Sequence, residues 1–239
     1  TDTDQEEAAR MAMKYDLIAV PVVDDQGILV GIITIDDLVD VMREEATEDF
    51  YRLAGTSEEE RHRPGVLASV RIRTPWLMAS LLGGVAASLI IGSFEEGLRA
   101  LPILAAFIPV ILGMGGNIGT QCSTIIVRGL ATGRIEVGEL SRVLFREARI
   151  ALLLGLLYGG LLGLAGPVLL GLPPEVGVML GLSLLSSMLI AAIIGSTVPM
   201  ILKRVGFDPA VATGPFITTA VDIFATLVFF QLATWLVLS

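Results

Sequence analysis

Residues 215–235 read PFITTAVDIFATLVFFQLATW, a run long and apolar enough to cross a bilayer, with one ionisable side chain, Asp222, in its middle. A carboxylate at that depth costs about 2.5–3.5 kcal/mol on insertion scales, so it belongs against water or a partner and not against lipid. At helical spacing Thr218, Asp222 and Thr226 follow at i, i+4 and i+8, with Thr219 one turn before Asp222, while Phe224, Leu227, Val228 and Phe230 take the other side. Two chemistries fit such a stripe. It can join helices through hydrogen bonds, the aspartate protonated or paired with an arginine. Alternatively it lines an ion path. No Lys or Arg lies near the middle of any long apolar block, which removes the obvious ion-pair partner and favours the path.

A second constellation is GMGGNIGTQCST, residues 113–124, inside another apolar block. Its glycines, Gly116 among them, and its polar Asn117, Thr120, Gln121, Ser123 and Thr124 make a poor surface for lipid. Glycine also weakens a helix by about 1 kcal/mol relative to Ala, so the backbone can unwind here where it is buried or lines water. Close packing of the small-xxx-small kind, as from Gly115 to Gly119, fits equally well. The small residues Gly83, Gly84, Ala86 and Ala87, and Gly155, Gly159, Gly160 and Gly163, are expected to serve packing alone.

The third constellation is acidic. Asp36, Asp37, Asp40, Glu44, Glu45, Glu48 and Asp49 crowd one predicted helix, where like charges at i and i+4 repel by a few tenths, about 0.2–0.5 kcal/mol per pair. A charged run is usually a solvated face, but this density suits hard divalent cations, which take oxygen ligands. His62 among arginines, and Glu95 with Glu96 at the end of an apolar block, carry no comparable signal.

Composition fixes the elements that hold these groups. The 239 residues are 54% hydrophobic and only 17% charged, with mean hydropathy +0.78, which excludes a soluble domain and defines a membrane protein. Residues 1–60 hold 17 Asp/Glu against 4 Lys/Arg, a net −13, and the rest of the chain is net +4. Acid on that scale excludes nucleic acid as a partner and favours cations. The single Cys122 excludes an intrachain disulfide, and an acidic opening is not the basic-then-apolar pattern of a cleavable signal peptide.

Asp4 three residues before Glu7 predicts a capping box, followed by a helix with Ala8, Met11, Ala12 and Tyr15 on one face. LIAVPVV and ILVGIIT around DDQG predict a hairpin with Gly27 in the turn, and a second helix starts near Ile35 and runs to about Gly55. Five apolar blocks follow, at about 76–94, 101–130, 151–170, 176–202 and 210–238, each long enough to span. Arg61, Arg63, Arg71 and Arg73, then Arg128, Arg134, Arg142, Arg146 and Arg149, then Lys203 and Arg204 fall on one side, and Arg99 alone on the other. That asymmetry places the amino terminus in the cytoplasm and Ser239 outside. The fold class is an all-α membrane domain of five helices, preceded by a small cytosolic α/β unit and a connecting helix.

AVPVVDDQGILVGIITIDDLVDV resembles the hairpin and second helix of a cystathionine β-synthase (CBS) domain. Followed by EEATEDFYRLAG, RTPW, GGNIGTQCSTIIVRGLATG and GFDPAVATGPFITTAVD, it makes the whole chain resemble the MgtE family of magnesium channels and transporters. The resemblance divides the chain into a partial CBS domain (1–46), a connecting, plug-like helix (47–74) and a five-span pore domain (75–239). It implies a homodimer in the cell membrane, with a path for hydrated Mg2+ along the dimer axis. Asp222 would recognise the ion, with Pro215, Thr218 and Thr219 of the fifth span and Gly116 and Asn117 of the second lining the path. Asp16, Asp37, Asp40, Glu45, Glu48, Asp49 and Asp208 would bind regulatory Mg2+ and close the pore when it is plentiful. A nucleotide site of the kind that CBS pairs form would take ATP through Thr34 and Asp37, and a first CBS domain and an acidic domain would precede these residues in a full-length member. The residues before the proline and before the aspartate are Gly214 and Val221, where the family pattern is often small and polar.

Three other functions are open to the same residues. A proton- or sodium-coupled carrier would use Asp222 as its coupling site, and a membrane sensor would pass a CBS signal without transport. An intramembrane aspartyl protease needs two carboxylates sharing a proton, and only Asp222 is expected at mid-membrane. No enzyme is expected.

Overall fold

The computed structural model describes residues 2–62, 65–212 and 214–238. Arg63 and Ser239, and the side chains of Arg61 and His62, lie outside the described residues. Helix α1 (Gln5–Lys14) starts where the Asp4 carboxylate accepts the Glu6 N–H at 2.8 Å, satisfying one of the orphan donors of a helix start. Its buried face is Ala8, Ala9 and Ala12, whereas Met11 and Tyr15, expected to join it, are exposed. Methyl groups alone fit against Leu38 of α2 (Ile35–Leu53) and Val20 of the hairpin. Strands β1 (Ala19–Val23) and β2 (Leu29–Thr34) pair antiparallel, with Val20 opposite Ile33. Their turn is fixed by the Asp24 carboxylate, which accepts the N–H groups of Gln26 and Ile28, and by Gly27 at φ 77°.

Helix α2 connects the hairpin to the rest of the chain without a break as far as Leu53. Region 47–74 therefore holds its last turns, the short α3 (Glu59–His62) and the start of α4 (Val66–Ser93). Glu60 clasps these pieces together, accepting from the Thr56 hydroxyl at 2.7 Å and from Arg73 Nε at 3.0 Å. The two donors hold its carboxyl down at about 2.

Among the described residues five helices are long and apolar enough to cross a membrane: α4, α6 (Leu104–Ala131), α7 (Leu140–Leu170), α8 (Pro174–Arg204) and α9 (Pro215–Ala233) with the π-helical turn that ends it. Helix α5 (Glu95–Ala100) joins the first two. Helix α7 begins well before the predicted 151, because residues 140–150 form an amphipathic extension. The last span starts at Pro215 and not at 210, since residues 209–212 form a separate 3-10 turn and Gly214 turns the chain at φ 63°.

Helix α8 is the centre of the bundle, packed by α6, α7 and α9. Its contact with α7 is a reciprocal glycine seam. A Cβ on Gly159 would stand 2.6 Å from the Gly181 carbonyl oxygen, and one on Gly177 would stand 2.4 Å from that of Gly163. Five turns beyond Gly177, a Cβ on Gly195 would meet the Gly119 oxygen of α6 at 2.5 Å. Gly83 of α4 lies directly against Thr219, while Gly84 and Gly160 face open space. Small residues thus bring backbones together where a larger side chain would hold them apart.

Candidate functional site

Helix α9 is held between α4 on one side and α6 with α8 on the other. Its Ile217, Val221, Ala225 and Phe229 are buried, and Phe216, Phe224 and Leu227 are exposed. Asp222 belongs to neither set. It is half-buried, on the helix face turned away from Phe224 and Leu227, and no basic side chain neutralises it among the described residues. Its neighbours explain how a carboxylate fits there. Val221 seats on Gly115 and Gly119 of α6, Thr218 approaches Gly116, and Thr219 approaches Gly83 of α4, so both flanking helices come close to α9 without covering Asp222. Thr218 Oγ1 donates back to the Gly214 and Pro215 carbonyls at 3.1 and 3.2 Å.

Two expectations for this region change. The polar stripe does not continue to Thr226, which is buried with its hydroxyl unpartnered, because eight residues advance the face by some 80° and into the core. Phe230 is likewise buried, stacked on Phe94 at 4.8 Å. Helix α6 does not unwind at its glycines but runs unbroken through 113–124. Gly115 and Gly119 pack while Asn117, Thr120, Gln121 and Thr124 remain exposed, so the small and the polar residues of the motif fall on opposite faces of one helix.

The acidic residues divide. Glu45, Glu48, Asp49 and Asp208 line one cavity of about 430 Å3 between α2 and the carboxyl ends of α6 and α8, joined there by Asp4, Glu6, Arg52 and Lys203. Asp16, Asp37 and Asp40 do not line it. Asp16 sits in a turn at φ 51°, and Asp37 accepts from Thr34 at 3.2 Å, so the two residues expected to contact ATP are bonded to each other. Arg52 pairs with both Glu48 and Asp208, and Lys203 lies 3.9 Å from Glu6. Among the described residues no three His, Cys, Asp or Glu side chains stand close enough to hold one ion directly.

Burial, then the charges of Glu6 and Glu45, push Asp49 up to about 6, against the smaller pull of Arg128 and Arg52. An acid whose folded pKa is raised adds stability below its unfolded value, near 3.9, and loses it as pH rises through about 6. In chelator at pH 7.5, Asp49→Asn is therefore expected to raise the thermal midpoint of the detergent-solubilised protein, and at pH 4.5, between the two values, to raise it much less. Equal shifts at both pH values would show that the Asp49 charge is not what destabilises the contact.

Arg52 and Lys203 were absent from the sequence-based set, although Arg52 four residues after Glu48 was a visible pair signal. Glu147 had no such signal, lying in an arginine-rich stretch. It is only 3% exposed on α7, where one carboxylate oxygen accepts from the Cys122 thiol of α6 at 3.5 Å. Asp222 is thus not the sole carboxylate within the helical bundle.

Five apolar helices around a half-buried, unneutralised carboxylate, with acidic groups gathered at one end, define a multi-pass membrane protein of the transporter class. Comparison agrees: residues 108–232 match the MgtE model, described as a divalent cation transporter, and residues 1–44 match the CBS domain. The chain is 39% identical to the magnesium transporter MgtE of Thermus thermophilus over 98% of its own length and 52% of that protein. It is 36% identical to the Bacillus subtilis protein of the same name and 37% to that of Enterococcus faecalis, in each case over 97% of this chain and 51% of the relative. The chain belongs to the MgtE family of divalent cation transporters, which are not enzymes, and spans about half the length of the curated relatives it matches.

Proposed function

We propose that the chain forms the pore of a homodimeric, channel-like magnesium transporter in the cell membrane, its amino terminus cytoplasmic, in which Asp222 grips hydrated Mg2+. The observation that carries this reading is a half-buried carboxylate without a counter-charge on the face of α9 turned away from the exposed Phe224 and Leu227. Magnesium dehydrates reluctantly and engages one or two carboxylates through retained waters, and a twofold axis supplies two from one residue per chain. The exposed Asn117 face of α6 supports a second copy there, since lipid is a poor neighbour for those side chains. Gly116, Thr218, Thr219 and Pro215 complete the wall.

Vesicles loaded with a magnesium-sensitive dye test the reading. A magnesium gradient alone is expected to drive uptake; flux only with an imposed proton or sodium gradient would favour the coupled carrier, and no flux the sensor.

The acidic cavity supports regulation. Glu45, Glu48, Asp49 and Asp208, with Asp16, Asp37 and Asp40 nearer the hairpin, would repel when Mg2+ is scarce and be bridged through its waters when it is plentiful. The ion shifts the gate because open and closed states bind it unequally. Combining Glu45→Gln, Glu48→Gln and Asp49→Asn is expected to raise the internal Mg2+ needed for half-inhibition about tenfold or more while leaving the uninhibited flux intact. Unaltered inhibition in vesicles would remove these three residues from the sensor.

A further inference from the structure

Helix α7 carries a surface that transport does not use. Its 31 residues make a rod of about 46 Å, against a hydrocarbon core of about 30 Å. Residues 150–170 fill that core, so the first turns, with Arg142, Arg146 and Arg149, stand in the headgroup layer or beyond it. The three arginines follow at i, i+4 and i+7 on one face, and the lipid-facing stripe Leu153, Leu156, Gly160 and Leu164 continues the same face into the membrane.

The arginines are open and only partly neutralised. The Arg142 side chain is 83% exposed and donates to Glu139 at 2.7 Å. Arg146 is 70% exposed and reaches no nearer than 4.0 Å to the buried Glu147. The Arg149 guanidinium lies 5.6 Å from the centre of the Phe145 ring, itself 66% exposed. Further along the face, the glycine seam leaves an apolar groove of about 540 Å3 between α7 and α8, walled by Leu156, Leu164, Val178, Leu182 and Leu185.

We infer that this face binds one anionic phospholipid from the leaflet on the arginine-rich side. Its phosphate sits among the three guanidinium groups, which donate charge-assisted hydrogen bonds. Its glycerol lies beside Phe145, and an acyl chain follows Leu153 and Leu156 to the mouth of the groove. Charge complementarity selects this occupant: a zwitterionic lipid fits the groove but brings no net negative charge, and a soluble phosphate meets the arginines but leaves the groove empty.

The test uses the full chain in detergent, with the thermal midpoint and bound lipid by native mass spectrometry as readouts. Phosphatidylglycerol is expected to bind and raise the midpoint, phosphatidylcholine of the same chains and sn-glycerol 3-phosphate to do neither. The triple variant Arg142→Gln, Arg146→Gln, Arg149→Gln is expected to weaken phosphatidylglycerol roughly 150-fold, and Arg149→Gln alone, at an exposed position, about fivefold. Gly160→Trp, which fills the groove and leaves the charges in place, is expected to weaken it as well. Equal effects of phosphatidylcholine or glycerol phosphate would overturn the inference. So would unchanged affinity in Arg149→Gln, or absence of bound lipid because a second copy covers the face.

Discussion

Asp222→Asn is expected to lower magnesium uptake roughly 100-fold or more while the protein still elutes as a single folded species. The substitution keeps shape and volume and removes only charge. A hydrogen bond to a charged group contributes about 1.5–3 kcal/mol, and the twofold arrangement proposed above would lose two such groups at once, about 3–6 kcal/mol of grip on the ion's water shell. Converted at 1.4 kcal/mol per tenfold, this is at least about two orders of magnitude. Asp222→Glu keeps the charge but reaches farther by one methylene, and an intermediate flux is expected. Unaltered uptake by the Asn variant, measured in the same vesicles, would remove Asp222 from the path.

The second large effect is structural. Gly195→Val is expected to prevent the bundle from forming, because its Cβ would stand 2.5 Å from the Gly119 oxygen and 3.1 Å from the Cys122 Cβ, and backbone cannot yield as a flexible side chain can. Overpacking costs about 1–3 kcal/mol in ordinary cores and more where helices must separate. Gly84→Ala is the matched control, since nothing lies within 4 Å of its added methyl and alanine gains about 1 kcal/mol of helix propensity. Midpoints of thermal unfolding in detergent check both. A Gly195→Val protein as stable as wild type would mean that α6 and α8 do not touch there.

The elements were largely legible in the sequence because their signals are local. The Asp4 cap, the Gly27 turn and the five apolar runs each depend on a few adjacent residues, and each appears in the structure. Asp222 stood out for the same reason, being the one charge in its run. What escaped depends on partners distant in the chain. Whether Thr226 faces the path or the core is decided by the helices that pack on α9. Glu147 looked like part of a charged loop until the start of α7 extended back to Leu140 and brought it against Cys122. Likewise, Glu45, Glu48 and Asp49 share a cavity with Asp208, over 150 residues away, because α2 docks on the turn before α9, a contact that no periodicity encodes.

Where α7 and α8 meet, main chain lies on main chain, and neither rod can roll without driving a Cα into a carbonyl of the other. The two helices therefore move as one piece. Any rearrangement of the bundle would then leave distances between labels on α7 and α8 constant.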